Sequence, residues 1–184
     1  MFDMIFQAEA GILLWIQETL RGPVADGIVL FYTSLGNAGL VWIGLSLLML
    51  FFPATRKAGV LGLGGLLCSL LLTNLCLKPL VDRVRPYEVI EGLKAMVTPG
   101  DVQSFPSGHT SAAFAAVLAW CGYLPKKWMG AAAVTAATLM GLSRLYVGVH
   151  YPTDVLAGAC AGALCAWVVH LICKFIEKKK NTQI

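Results

Sequence analysis

Charge is scarce in this sequence. Only 13% of its 184 residues are Asp, Glu, Lys or Arg, against about 25% in an ordinary soluble domain. The 14 basic and 10 acidic residues leave a net charge of only +4. No basic face or stripe accompanies that excess, which argues against nucleic acid as a partner. Paired cysteines are missing as well. The six cysteines, Cys68, Cys76, Cys121, Cys160, Cys165 and Cys173, lie within or at the ends of apolar runs and form no CxxC. No metal site follows from them, and they read as small packing residues. Nothing calls for a cofactor. A basic start is lacking too: residues 1–21 carry Asp3, Gln7, Glu9, Gln17 and Glu18, which is not the pattern of a signal peptide. With no internal repeat, low-complexity tract or linker, residues 1–184 read as a single domain.

What is abundant is apolar. Hydrophobic residues make up 58% of the chain and the mean hydropathy is +0.74. The excess falls into runs at residues 23–52, 59–77, 107–123, 127–147 and 152–176. Each is near the ~20 residues a helix needs to cross the hydrocarbon core, although the third is short. The first is too long for one straight crossing and is interrupted by Gly36 and Asn37, so a kinked or tilted helix is expected. Ahead of it, Ile5, Phe6, Ile12, Leu13, Trp15, Ile16 and Leu20 recur at roughly helical spacing among polar residues. That predicts an amphipathic helix lying in the interface. The expected fold is therefore all-α: an integral-membrane bundle of about five transmembrane helices plus an N-terminal interfacial helix.

Basic residues mark the sides. Arg56, Lys57, Lys126 and Lys127 lie in short loops, and Lys174, Lys178, Lys179 and Lys180 close the chain. With five crossings these regions share one side, which the positive-inside rule makes cytoplasmic. The N-terminal helix, the long segment 78–106 and the turn at 143–154 then face outward, in a multi-pass protein of the plasma membrane. A segment as long as 78–106 in so economical a chain is a candidate for function.

Three clusters of ionisable residues sit on that outward face, where apolar runs begin or end. They are residues 78–86, residues 106–109, and Ser143-Arg144 followed by His150 and Asp154. Lys78, Arg85 and Arg144 supply three cations able to neutralise a phosphoryl group, and the arginine fork suits its oxygens. Ser107 is a natural N-cap, after which the N–H groups of Gly108 and His109 point at an anion at the positive end of a helix. Asp154, in the first turn of the last helix, is placed to bond one ring nitrogen of His150 so that the other attacks phosphorus. His109 is placed to protonate the leaving oxygen. Elsewhere blander readings prevail. Arg83 and Lys94 read as interfacial anchors, and His170 reads as a packing residue in the last apolar run.

The pattern K-x6-RP, PSGH, SR-x5-H-x3-D, complete and in order from Lys78 to Asp154, resembles that of the type 2 phosphatidic acid phosphatases. The surrounding apolar segments match as well, so the resemblance covers nearly the whole chain. It implies a helical core with its site at the outer membrane surface and a metal-independent reaction. Lys78, Arg85, Ser107, Gly108 and Arg144 would bind phosphate, and His109 would protonate the leaving group. His150 would be transiently phosphorylated, with Asp154 orienting it. Some bacterial relatives add a hydrophobic first helix, giving six crossings; here that segment is charged. Small members often act on undecaprenyl pyrophosphate, others on phosphatidylglycerophosphate or phosphatidic acid, and the motifs bind the phosphate common to all. A lipid phosphotransferase would use the same phosphohistidine. The implied partners are a lipid substrate and the bilayer; oligomeric state is not encoded in any of these features.

Overall fold

The computed structural model describes residues 2–182; residue 1 and residues 183–184 of the expected single domain lie outside the described residues. Among the described residues the chain is all helical, with no strand.

Helix α1 (Phe2–Leu20) leads into α2 (Pro23–Leu35), which opens on Pro23, a residue suited to a first helical position. A short 3-10 turn at Asn37–Gly39 separates α2 from α3 (Leu40–Leu50), and the two segments meet at 51°. The kink expected at Gly36 and Asn37 is thus present. Its backbone cause is a left-handed pair, Ala38 at φ 50° and Gly39 at φ 70°. Helix α4 (Arg56–Ser69) continues through a π-helical stretch, Leu70–Leu77, into the single turn α5 (Lys78–Val81). A second single turn, α6 (Pro86–Val89), precedes a loop to α7 (Gly108–Cys121). Helices α8 (Lys127–Tyr146) and α9 (Pro152–Thr182) complete the chain.

By length and apolarity, two stretches suffice to cross a membrane, Arg56–Val89 and Pro152–Thr182; the bent pair Pro23–Leu35 and Asn37–Leu50 makes a third if it is one span. The sequence reading expects five. The difference lies in α7 and α8. Helix α7 has 14 residues, which at 1.5 Å per residue is about 21 Å. It is also enclosed by protein: Ala113, Ala115, Ala116, Val117, Ala119 and Trp120 are all buried.

Helix α7 is the axis of the bundle, packed chiefly against α9 and α4. Small residues let the backbones meet, as is usual between membrane helices. A Cβ at Gly162 would lie 2.5 Å from the Ser111 carbonyl oxygen, and one at Gly158 would lie 2.7 Å from that of Ser107. Hydroxyls add polar ties: Ser111 meets both Ser69 and Thr73 at 2.8 Å. Helix α1 buries Ala10 and Leu13 against Ile90, Leu93, Leu145 and Tyr151, while Met4, Ile12, Trp15 and Leu20 face outward.

Candidate active site

The C-terminus of α8 sets the site. Gly148, at φ +75°, reverses the chain just after the helix. A side chain there would be strained and would also press on Arg21 and the Lys94 carbonyl. The turn is tied to the long loop by the bond from Met96 N–H to the Val147 carbonyl (3.0 Å). It delivers His150, almost wholly buried, into a cavity of about 790 Å³.

Six of the eight residues singled out by sequence line this cavity: Lys78, Arg85, Gly108, His109, Arg144 and His150. Ser107 and Asp154 lie behind it. Lys78 stands at the end of the π-helical stretch, Arg85 just before α6, and Arg144 in the last turn of α8. All three cations are buried. Arg85 Nη1 donates to the Val149 carbonyl at 2.8 Å, which anchors the guanidinium beside the His150 turn. Arg144 Nη1 donates to the Thr33 hydroxyl at 2.6 Å, and its Nε has no protein partner.

Lys78 and Arg85 share one carboxylate, that of Asp101, which bridges them through both oxygens. Burial opposes ionisation of Asp101, but the two cations outweigh it and hold its carboxyl below the ordinary 3.8. An anion from the chain itself therefore occupies the cationic corner of the cavity. Sequence reasoning missed Asp101; a lone acid in a loop has no spacing signal.

His150 Nδ1 lies 2.8 Å from the Ser104 carbonyl oxygen and 3.6 Å from Asp154 Oδ2. A carbonyl only accepts, so Nδ1 carries the proton and the lone pair is on Nε2. Burial pushes the His150 pKa down to about 4; the Asp154 carboxylate opposes the shift, and the positive charges of Arg144 and Arg85 add to it. The ring is neutral at neutral pH. Asp154 is fully buried, and its Oδ2 accepts the Tyr151 N–H at 2.9 Å. Its Oδ1 accepts Arg83 Nη1 at 2.7 Å. This corrects the reading of Arg83 as an interfacial anchor: its head group turns inward onto carboxylates.

Ser107 caps α7 as its sequence suggests. Its Oγ accepts from the Thr110 N–H at 3.4 Å and from the Thr110 hydroxyl at 2.9 Å. Its own N–H bonds the Asp154 carbonyl at 3.0 Å, stitching α7 to α9. The first-turn N–H groups at Gly108 and His109 have no intrahelical partner by geometry. His109 Nε2 meets Asn37 Oδ1 at 3.0 Å, so the break between α2 and α3 reaches the site. His170 lies apart from it, bonded to the Ala119 carbonyl at 3.2 Å and tilted on Tyr123. Away from the charges the cavity becomes apolar, walled by Leu30, Ile43, Leu63, Leu66, Leu67 and Leu70. One end suits an anion and the other a hydrocarbon.

Comparison with known proteins gives this arrangement a family. Residues 59–177 match the PAP2 superfamily. The chain is 30% identical over 146 residues to an undecaprenyl-diphosphatase of Sulfolobus acidocaldarius, covering 79% of this chain and 68% of that one. It is 31% identical over 182 residues to phosphatidylglycerophosphatase B of Bacillus subtilis, covering 88% and 79%. The crystal structure of a transmembrane PAP2-type phosphatidylglycerolphosphate phosphatase from Bacillus subtilis has a TM-score of 0.76 at 30% identity, covering 94% of this chain and 86% of that one. The chain belongs to the PAP2 superfamily and is a membrane-associated hydrolase of its phosphatase kind.

Proposed function

We propose that the protein removes phosphate from a lipid diphosphate of the polyprenyl type, through a phosphohistidine on His150. The observation that carries this is the cavity itself: three buried cations converge on a neutral imidazole at one end, and leucines wall the other. The head group would displace Asp101 from Lys78 and Arg85 and take Arg144 and the α7 N-terminus as further partners. With its proton held on Nδ1, His150 attacks phosphorus through Nε2, and the bond to the leaving oxygen breaks. His109 gives that oxygen a proton. Water then attacks the phosphohistidine while His109 takes back a proton, and inorganic phosphate leaves. Asp154 stabilises the imidazolium character that develops, and the guanidinium groups offset charge on the equatorial oxygens. Cationic side chains thereby fill the role that metal ions play in other phosphatases.

Phosphatidylglycerophosphate is the second reading, favoured by the greater share of the chain that aligns with the phosphatidylglycerophosphatase. In either case we take the bundle as five crossings with α1 at the interface. The lysine-rich end of α9 would lie on the cytoplasmic side and the site on the outer face.

The test is phosphate release in detergent, with excess chelator, from a panel of lipid monophosphates and diphosphates. Undecaprenyl diphosphate is expected to give the highest kcat/KM. A higher value for phosphatidylglycerophosphate would favour the second reading, and chelator-sensitive turnover restored by Mg²⁺ would contradict the mechanism. His150→Ala is expected to abolish release with the fold intact; retained turnover would remove His150 as the nucleophile.

A further inference from the structure

We propose that Arg83 and Glu9 are positioning residues for this reaction: Arg83 fixes the Asp154 carboxylate behind His150, and Glu9 anchors that hold in α1. The inference rests on the roles assigned to His150 and Asp154 above.

Arg83 donates from Nη1 to Asp154 Oδ1 and to the Thr153 hydroxyl, both at 2.7 Å, and from Nη2 to Glu9 Oε2 at 2.7 Å. Its guanidinium lies 3.7 Å over the Tyr151 ring. The other Glu9 oxygen, Oε1, accepts the Thr153 N–H at 2.9 Å and the Thr153 hydroxyl at 2.6 Å. Glu9 is 4% exposed and Asp154 0%. A buried carboxylate is costly unless paired and hydrogen-bonded. Packing alone would be served by an alanine at position 9. What the glutamate adds is a second negative charge for Arg83 and a bond to the backbone one residue before Asp154. The Asp154 carboxylate is thereby held at both oxygens, by Arg83 on one and the Tyr151 N–H on the other. Its stand-off of 3.6 Å from His150 is fixed by residues outside the cavity.

The three charges alternate in sign, from Asp154 through Arg83 to Glu9. The His150–Asp154 pair is also faced by Arg85 and Lys78 with Asp101 from the loop, by Arg144 from α8, and by His109 from α7. A nearby cation disfavours proton uptake by the pair and a nearby anion favours it. Loss of Arg83 must move the acid limb of the rate profile to higher pH. Loss of the Glu9 charge frees more of the Arg83 field and must move it to lower pH.

The experiment uses full-length protein in detergent, with farnesyl diphosphate as a short-chain lipid diphosphate. kcat, KM, the acid limb of kcat/KM and the melting temperature are measured for wild type, Arg83→Gln, Arg83→Lys, Glu9→Gln and Asp154→Asn. The substrate's own ionisation is common to all five. Arg83→Gln is expected to lower kcat roughly 10- to 100-fold, as displacement of a positioned group does, with the acid limb raised. Its KM should stay within about threefold of wild type, since ground-state binding is untouched. Arg83→Lys should recover part of kcat and return the limb toward wild type. Glu9→Gln should lower kcat less and shift the limb downward. Should Arg83→Gln fail to fold, the limbs of Arg83→Lys and Glu9→Gln decide. A kcat for Arg83→Gln within about twofold of wild type, or limbs that do not separate in opposite directions, overturns the proposal. If wild type releases no phosphate, or Asp154→Asn is as fast as wild type, the reading of the site itself fails and this proposal with it.

Discussion

Asp101 places a carboxylate where the proposed reaction needs a phosphoryl group. Its two oxygens take Lys78 and Arg85, so a substrate must compete with an anion already tethered to the chain. Its side chain is 41% exposed, so solvent weakens the hold. Asp101→Asn keeps the shape and removes the charge. Orthovanadate or inorganic phosphate is then expected to inhibit about two- to fivefold more strongly, the scale of a partly solvated ion pair. Unchanged inhibition constants would show that the carboxylate is no competitor. The eight residues of the three motifs were legible because each motif is local and each residue type fits phosphate chemistry. The residues that support them were not. Thr33, Asn37, Asp101 and Ser104 meet motif residues well separated along the chain, and Ser104 meets His150 through its backbone, which carries no side-chain signal. Glu9 meets Thr153 across 144 positions of sequence, and no spacing rule spans that distance.

At the scale of the element, the contact between α7 and α9 decides whether the proposed general acid and the carboxylate behind the nucleophile stay aligned. His109 rides on α7 and Asp154 on α9, and the two backbones meet over Gly158 and Gly162. The nearest atoms are backbone carbonyls, which cannot swing aside as a side chain can. Gly162→Val is therefore expected to cost about 1–3 kcal/mol, the range for overpacking. It should appear as a lower melting temperature in detergent and a fall in kcat, although the residue touches no substrate. An unaltered melting temperature would mean the helices part more easily than their spacing implies. The glycine spacing is visible in the sequence, but the helix it faces is not. The kink in the first apolar run was legible, because Gly36 and Asn37 interrupt an overlong segment. The shortness of α7 was legible as well. That α7 forms the buried axis was not, because apolarity alone does not separate a neighbour made of protein from one made of lipid.

For the whole molecule, the buried site couples stability to pH. The folded state holds the His150 pKa at about 4 instead of 6.5. A lowered imidazole value means that between these limits the unfolded chain takes up a proton the folded one refuses. Stability is therefore full above pH 6.5 and falls as the pH drops toward 4. Asp101 acts the same way at lower pH: its carboxyl is held below 3.8, so its contribution is present above that value and lost as it protonates. Thermal unfolding in detergent across this interval should show a declining melting temperature for wild type and a flatter profile for His150→Gln. Equal slopes would assign the acid sensitivity to other groups. All-helical architecture and membrane association followed from composition and run length. Which apolar stretches share one span depends on how neighbours cover them, a property of the assembled chain.

The 51° break between α2 and α3 borders the leucine-walled part of the cavity, beside the proposed phosphate site. If the proposed lipid substrate enters past that break, it arrives sideways, by diffusion in two dimensions. What sets the rate is then its surface density in the leaflet. Diluting the lipid substrate with inert lipid at constant bulk concentration should slow turnover as surely as withholding it.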